Sequence, residues 1–180
     1  MPSGHYLLAI CFDFGDTLAD EATEIKDGTN TTLRAELIPG AGELIRELKR
    51  RGYLLALVAD GRPDTYYNVL TAHGLYELFA AHIISEHLGV EKPDSRMFTA
   101  ALDQLAIDRR DYGRTLMVGN NLARDVKGAN AAGMISVWLD WSPRRSKVPA
   151  DDSEAPRYTI KQPLELLGVI DSIEKEYAGK

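Results

Sequence analysis

Leu7-Leu8-Ala9-Ile10-Cys11-Phe12 runs directly into Asp13-Phe14-Gly15-Asp16-Thr17-Leu18, and the fold is decided by reading this stretch. A continuous apolar run without alternation fits a central parallel strand that is covered on both faces. Asp13 then falls where that strand ends, a costly place for a carboxylate unless it does something there.

Outward from this strand, the pattern alternates. Gly40 to Arg51 reads as an amphipathic helix with Leu44, Ile45 and Leu48 on one face and Gly52 placed to end it. A strand over Tyr53 to Val58 leads to a helix from Asp64 to His73, stopped by Gly74. Ile83-Ile84 is a short apolar run, and Ser95 to Leu105 is helical, with Met97, Phe98, Ala101, Leu102 and Leu105 inward. Thr115 to Val118 is a buried strand closed by Gly119, followed by a small-residue helix through Val126, Ala129 and Ala132 to Gly133. Ile135 to Leu139 is the next strand, Tyr158 to Ile160 an edge strand, and Leu164 to Tyr177 a closing helix. Strands alternating with helices predict right-handed βαβ units. The expected fold is α/β: a three-layer, Rossmann-like, doubly wound parallel sheet with helices on both faces.

The 180 residues suit one domain, and 44% apolar with 27% charged residues excludes wholesale disorder. No apolar stretch is long enough to cross a bilayer, and the first residues lack the basic segment of a signal peptide. A single cysteine, Cys11, sits inside the first strand as a core residue and fits a reducing cytosol, so a cytoplasmic protein without membrane partners is expected. The net charge of −6 repels polyanions, so no nucleic-acid partner is expected. His5, His73, His82 and His87 show no metal-ligand spacing.

Ligands of such sheets bind beyond the carboxyl ends of the strands. There the chain places Asp13, then Ala59-Asp60-Gly61-Arg62, then Glu91-Lys92-Pro93-Asp94, then Gly119-Asn120-Asn121 with Asp125. A lysine among carboxylates suits chemistry on an anion. A carboxylate nucleophile attacking phosphorus needs countercharge, which Mg²⁺ and one ammonium supply. Backbone N–H groups near Gly15-Asp16 and Asp60-Gly61 can cradle phosphate oxygens, and the product is an aspartyl phosphate that water must cleave.

In these motifs and their order, the chain resembles the haloacid dehalogenase (HAD) superfamily of phosphohydrolases. The resemblance runs from Asp13–Leu18 through Pro39-Gly40, Lys92-Pro93-Asp94 and Val118-Gly119 to Ala132-Gly133-Met134. It implies Asp13 as nucleophile, Lys92 as the phosphate-neutralising ammonium, and Thr17, Ala59, Asp60 and Gly61 around the phosphate. It also implies Mg²⁺ held by Asp13, the Gly15 carbonyl, Asn120 and Asp125. Three positions depart from the family pattern: Gly15 where an acid/base Asp stands, Ala59 where a hydroxyl residue stands, and Asn120 where an Asp stands. Asp16, one residue further on, is the candidate substitute acid/base. Losing that group typically costs about 10²–10⁴ in rate.

Residues 19–37 are too few for an independent cap domain and are expected to form a minimal cap or flap loop within a single domain over residues 1–180. An open site would admit a large phosphorylated substrate, or be closed by another subunit of a homo-oligomer. Ser142 to Arg157 reads as a Pro- and charge-rich loop. Its Arg144-Arg145-Ser146-Lys147 run could fold over the site. Because Asp151, Asp152 and Glu154 follow closely, a solvated loop is the expectation. Two functions compete: a slow Mg²⁺-dependent phosphohydrolase of unassigned substrate, and a catalytically degenerate relative that binds a phosphorylated ligand or partner. A receiver-type domain would need an acidic pair near the first strand, and carbon–halogen cleavage would need a cap-shaped pocket.

Overall fold

A computed structural model describes residues 4–177. In chain order the strands are β1 (Ala9–Phe12), β2 (Ile25–Lys26), β3 (Thr32–Arg34), β4 (Leu54–Ala59), β5 (Ala81–Ile84), β6 (Thr115–Gly119), β7 (Ile135–Leu139) and β8 (Tyr158–Ile160). The helices are α1 (Ala41–Arg50), α2 (Pro63–Ala72), α3 (Ser85–Leu88), α4 (Ser95–Gln104), α5 (Lys127–Ala132) and α6 (Glu165–Tyr177). Six strands form one parallel sheet in the order β5-β4-β1-β6-β7-β8, as the alternating pattern predicts. The order reverses beside β1, which makes its carboxyl end the switch point where such sheets open a crevice.

Alternation along β1 divides the core. Ile10 and Phe12 face the layer of α1, α2 and α6, packing with Leu44, Leu48, Val69 and Ile170. Ala9 and Cys11 face α4 and α5, where Phe98, Ala101, Leu102 and Ala129 pack. The smaller residues on that second face, with Ala56 beside them, let the helices sit close. Cys11 is buried there, and loss of hydration pushes its thiol up to about 12, which suits an inert core residue. In register, Phe12 lies beside Leu57 and Val118, and the Asp13 N–H continues the ladder to the Val118 carbonyl at 2.9 Å. The backbone of Asp13 is thus fixed by the sheet itself.

Two stretches differ from expectation. The helix expected around Val126 opens with a π-helical turn, Leu122–Val126, before α5, and the Asn121 side chain caps it at the Ala123 N–H. Residues 19–37 are not simply a loop. They contain a 3₁₀ turn, Glu21–Thr23, and the antiparallel hairpin β2–β3. The hairpin turn is organised by Asp27, whose carboxylate accepts from the N–H groups of Thr29 and Thr31, with Asn30 left-handed at φ 66°. It is fastened to α2 by the Thr32 N–H, which donates to Thr65 Oγ1 at 3.0 Å. Among the described residues no helix is long and apolar enough to cross a membrane.

Gly128 sets how close α5 lies to α4. A Cβ there would stand 2.1 Å from the ring of the fully buried Phe98, which has nowhere to retreat. Gly128→Ala should destabilise the fold by about 1–3 kcal/mol. Urea denaturation should show a lower midpoint with an unchanged slope.

Candidate active site

Lys92 comes from the loop between α3 and α4 and is almost fully buried. Its Nζ stands 2.6 Å from Asp13 Oδ1, 2.8 Å from Asp125 Oδ1 and 2.8 Å from the Val58 carbonyl. Burial alone would lower its pKa. Asp125, Asp13 and Asp60 more than offset this and hold the ammonium above its ordinary value, so Lys92 stays charged. Burial, then repulsion from Asp13, push the Asp125 carboxyl above the ordinary carboxylate range despite Lys92. Asp13 is clasped from the other side by Thr17, whose hydroxyl donates to Oδ2 at 3.2 Å. Asp60 Oδ1 accepts the Lys92 backbone N–H at 3.0 Å, and its Oδ2 faces Arg124 at 3.2 Å.

Asp125 reaches the cluster because the π-helical turn aims it back at β6. Its Oδ2 accepts from the Asn121 N–H at 3.0 Å, and a Cβ on Gly119 would stand 2.3 Å from its carboxyl carbon. Only glycine leaves that space. Asn120 donates its amide nitrogen to the Gly15 carbonyl at 2.9 Å, so its amide oxygen is directed away from that carbonyl. Trp138 of β7 is buried and donates from its indole N–H to the Asn120 carbonyl at 3.1 Å.

The Asp13–Lys92–Asp125 cluster lines a cavity of about 630 Å³. Of the residues expected from sequence, Asp13, Gly15, Asp60, Gly61, Lys92, Asn120 and Asp125 meet there. The other three do not line it. Thr17 is buried behind Asp13, where its hydroxyl holds Oδ2, and the Ala59 side chain is buried within β4 and offers no donor. Asp16, expected as substitute acid/base, is left-handed at φ 53° and fully buried on the far side of the turn. There it accepts from Ser142 Oγ at 2.6 Å, Arg144 Nε at 2.9 Å and the Glu21 N–H at 3.1 Å. Burial pushes its pKa up, but those bonds outweigh it and hold the carboxyl below its ordinary range.

The 142–157 loop is correspondingly not a solvated tail. Arg144 pairs with Asp16 and Asp20, and Arg145 with Glu21, 124 residues away, so the expected neutralisation by Asp151, Asp152 and Glu154 is not what holds these arginines. Sequence reading missed Glu21 and Glu24, which line the cavity together with Arg62, Arg124 and Arg145. No local spacing marks them. Burial, partly relieved by Arg145 and reinforced by Asp16 and Asp13, pushes the Glu21 carboxyl upward.

The donor set can be tested for a metal. Asp13, Asp125 and the Gly15 carbonyl are hard oxygen donors of the kind Mg²⁺ takes, and Asn120, whose amide nitrogen now faces that carbonyl, brings its oxygen to the same point only when the amide turns over. Asp125 Oδ1 is buried and meets no aligned hydrogen-bond donor among the described residues, Lys92 standing beside it as an ion-pair partner. Two carboxylates sharing one ammonium leave negative charge that a cation relieves. The residues fit.

A doubly wound parallel sheet with an Asp–Lys–Asp cluster at its switch point defines the class: a Rossmann-like α/β domain with a charged crevice at its strand ends. The model for haloacid dehalogenase-like hydrolase matches residues 28–133, and the chain belongs to that family. It is 30% identical over 132 residues to a glyceraldehyde 3-phosphate phosphatase of Methanopyrus kandleri, covering 73% of this chain and 55% of that protein. It is 37% identical over 123 residues to a phosphoserine phosphatase of Thermus thermophilus, covering 68% and 47%. The chain thus spans about half the length of these curated relatives. It shares its fold with the magnesium-bound HAD-hydrolase YfnB of Bacillus subtilis, with a TM-score of 0.75 at 20% identity over 92% of this chain and 99% of the other.

Asp16 is an anchor in this geometry, and its replacement reads as stability. Asp16→Asn should cost about 2 kcal/mol at pH 7, since it removes the charge from hydrogen bonds to Arg144. Because the folded pKa is depressed, the wild-type advantage should be fully present above about pH 5 and shrink as the pH falls below about 4. Urea midpoints of both proteins at pH 7 and pH 3 check this.

Proposed function

We propose that the chain is a Mg²⁺-dependent phosphohydrolase acting on a small phosphomonoester through an aspartyl phosphate on Asp13. The observation that carries the reading is the buried Lys92 ammonium between Asp13 and Asp125 at the carboxyl edge of the sheet. Two carboxylates and a charged lysine around one point suit a nucleophile, its countercharge and a metal ligand. The names of the matched relatives, phosphatases of glyceraldehyde 3-phosphate and phosphoserine, support the substrate class.

Each residue has a task in this reading. Thr17 and Lys92 hold the two oxygens of Asp13 so that the carboxylate is fixed before substrate arrives. Lys92 meets the charge of the transferring phosphoryl group. The Gly61 N–H already donates to Ser85 Oγ at 2.9 Å, which fixes the turn after β4 where a phosphate oxygen would rest. Asp13, Asn120, Asp125 and the Gly15 carbonyl would hold Mg²⁺, which supplies the countercharge that lets an anionic nucleophile approach an anionic phosphate. A cavity of about 630 Å³ with Arg62, Arg124 and Arg145 around its wall suits a small polar anion. The hairpin β2–β3 forms the remaining wall, with Lys26, Asn30 and Thr32 facing in.

A second reading, ligand binding without turnover, is favoured by one observation: Gly15 brings no carboxylate, and Asp16 turns away from the cavity. Phosphate release from p-nitrophenyl phosphate and a panel of phosphometabolites separates the two. Release should require Mg²⁺, stop with EDTA, and fall by more than about 10³-fold in Asp13→Asn. Mg²⁺-dependent binding of phosphorylated compounds with no release by the wild type would select the binding reading instead.

A further inference from the structure

We infer that Glu21 is the general acid/base of this site, taking the place of the carboxylate absent at position 15; the assignment rests on the phosphotransfer reading of Asp13. Glu21 fills the space that a side chain at Gly15 would need. A Cβ built on Gly15 would stand 2.1 Å from Glu21 Oε1, 2.9 Å from its Cδ and 3.1 Å from its Cγ. The carboxylate that is missing in sequence is thus supplied in space, from the next turn of chain, by a longer side chain. Glu21 lines the same cavity as Asp13.

Its position is built. The Glu21 N–H donates to Asp16 Oδ1 at 3.1 Å, and Asp20 caps the turn at the Ala22 N–H at 2.9 Å. Arg145 Nη2 reaches both carboxylate oxygens, at 3.1 and 3.3 Å. Its neighbour Arg144 is tied to Asp16 and Asp20, so the two arginines hold the Glu21 turn as one unit. Asp16 and Arg145 are positioning residues in this arrangement.

The proton balance follows. In the first half, an Asp13 carboxylate oxygen bonds to phosphorus while the bond from phosphorus to the leaving oxygen breaks. Glu21, protonated, gives its proton to that departing oxygen. In the second half, a water oxygen bonds to phosphorus and the acyl-phosphate P–O bond breaks. Glu21, now a carboxylate, takes a proton from that water, so Asp13 returns as a carboxylate, phosphate leaves, and Glu21 is neutral again.

Rapid-quench measurement of hydroxylamine-sensitive phosphoenzyme and of steady-state phosphate release tests this, with p-nitrophenyl phosphate as substrate and thermal melts to verify folding. This leaving group needs little protonation. Glu21→Gln should therefore keep a phosphoenzyme burst near wild type, slow turnover by about 10²–10⁴-fold, and accumulate phosphoenzyme. Asp13→Asn should abolish the burst. Gly15→Asp alone should lower activity, because the new side chain meets Glu21. Combined with Glu21→Ala, it should recover at least about tenfold over Glu21→Ala alone. Wild-type turnover in Glu21→Gln overturns the assignment. So does an equal loss of burst and turnover that Gly15→Asp does not relieve. A folded wild type indistinguishable from Asp13→Asn overturns the phosphotransfer reading itself, and the assignment with it.

Discussion

The buried ammonium of Lys92 is the interaction on which this site and the carboxyl edge of the sheet depend. Taking a lysine out of water costs several kcal/mol, and the cost is met only if opposite charge and hydrogen-bond acceptors surround it. Here they do, with Asp13 on one side, Asp125 on the other and the Val58 carbonyl completing the shell. Each partner belongs to a different segment, so the ion cluster and the sheet order enforce each other. Removing the lysine would leave two carboxylates facing one another in a poorly hydrated space. The surplus negative charge that remains even with Lys92 present is what makes a divalent cation a natural further occupant under the proposed function.

The sheet contributes the precision. Asp13 extends the β1–β6 ladder through its own N–H, so its position is defined by register rather than by a flexible loop. Gly119 ends β6 without a side chain and allows Asp125 to fold back within van der Waals reach of the backbone. Asp60 spans the gap between β4 and the lysine loop by accepting the Lys92 N–H, which fixes the backbone from which the ammonium projects. Tyr66 adds a brace from α2, donating to the Asp60 carbonyl at 2.7 Å. The pieces that carry charge are therefore held by main-chain hydrogen bonds, and Arg124 pairs with Asp60 and Glu91 from the more exposed side.

Legibility followed physical range. The strands β1, β4, β6 and β7 could be read because they are apolar runs covered on both faces, and a residue at the end of such a run can be placed by counting. Asp13 and Asn120 stand directly after β1 and β6 and can be placed that way, whereas Lys92, ahead of α4, and Asp125, in the π-helical turn, are reached only through the order of the motifs. The β2–β3 hairpin could not be, because Ile25 and Leu33 are exposed and no alternation marks it; its turn is made by Asp27 and its attachment by bonds of Thr32 with Thr65 and Asn68 and of Thr31 with Arg62. Arg144 and Arg145 were misjudged for a related reason. Their nearest carboxylates in sequence, Asp151, Asp152 and Glu154, gave a sufficient local account of their charge. Their actual partners stand 124 to 128 residues away. Charge pairing over that distance leaves no trace in spacing.

The contrast between Asp16 and Glu21 shows why counting fails inside a tight turn. The N–H groups of Thr17, Leu18 and Ala19 all converge on the Phe14 carbonyl, and Asp16 is driven into the left-handed region to close the turn. In that geometry one residue of displacement does not shift a side chain along the cavity wall. It sends the side chain through to the opposite face. A carboxylate arriving there, fully buried, would be costly without donors, and Ser142, Arg144 and the Glu21 N–H provide them. The displaced acid thereby becomes the anchor for an arm from the other end of the chain, and that arm places Arg145 against Glu21. What position 15 lacks and what position 16 binds are two consequences of one turn, and together they account for a carboxylate from position 21 reaching the cavity.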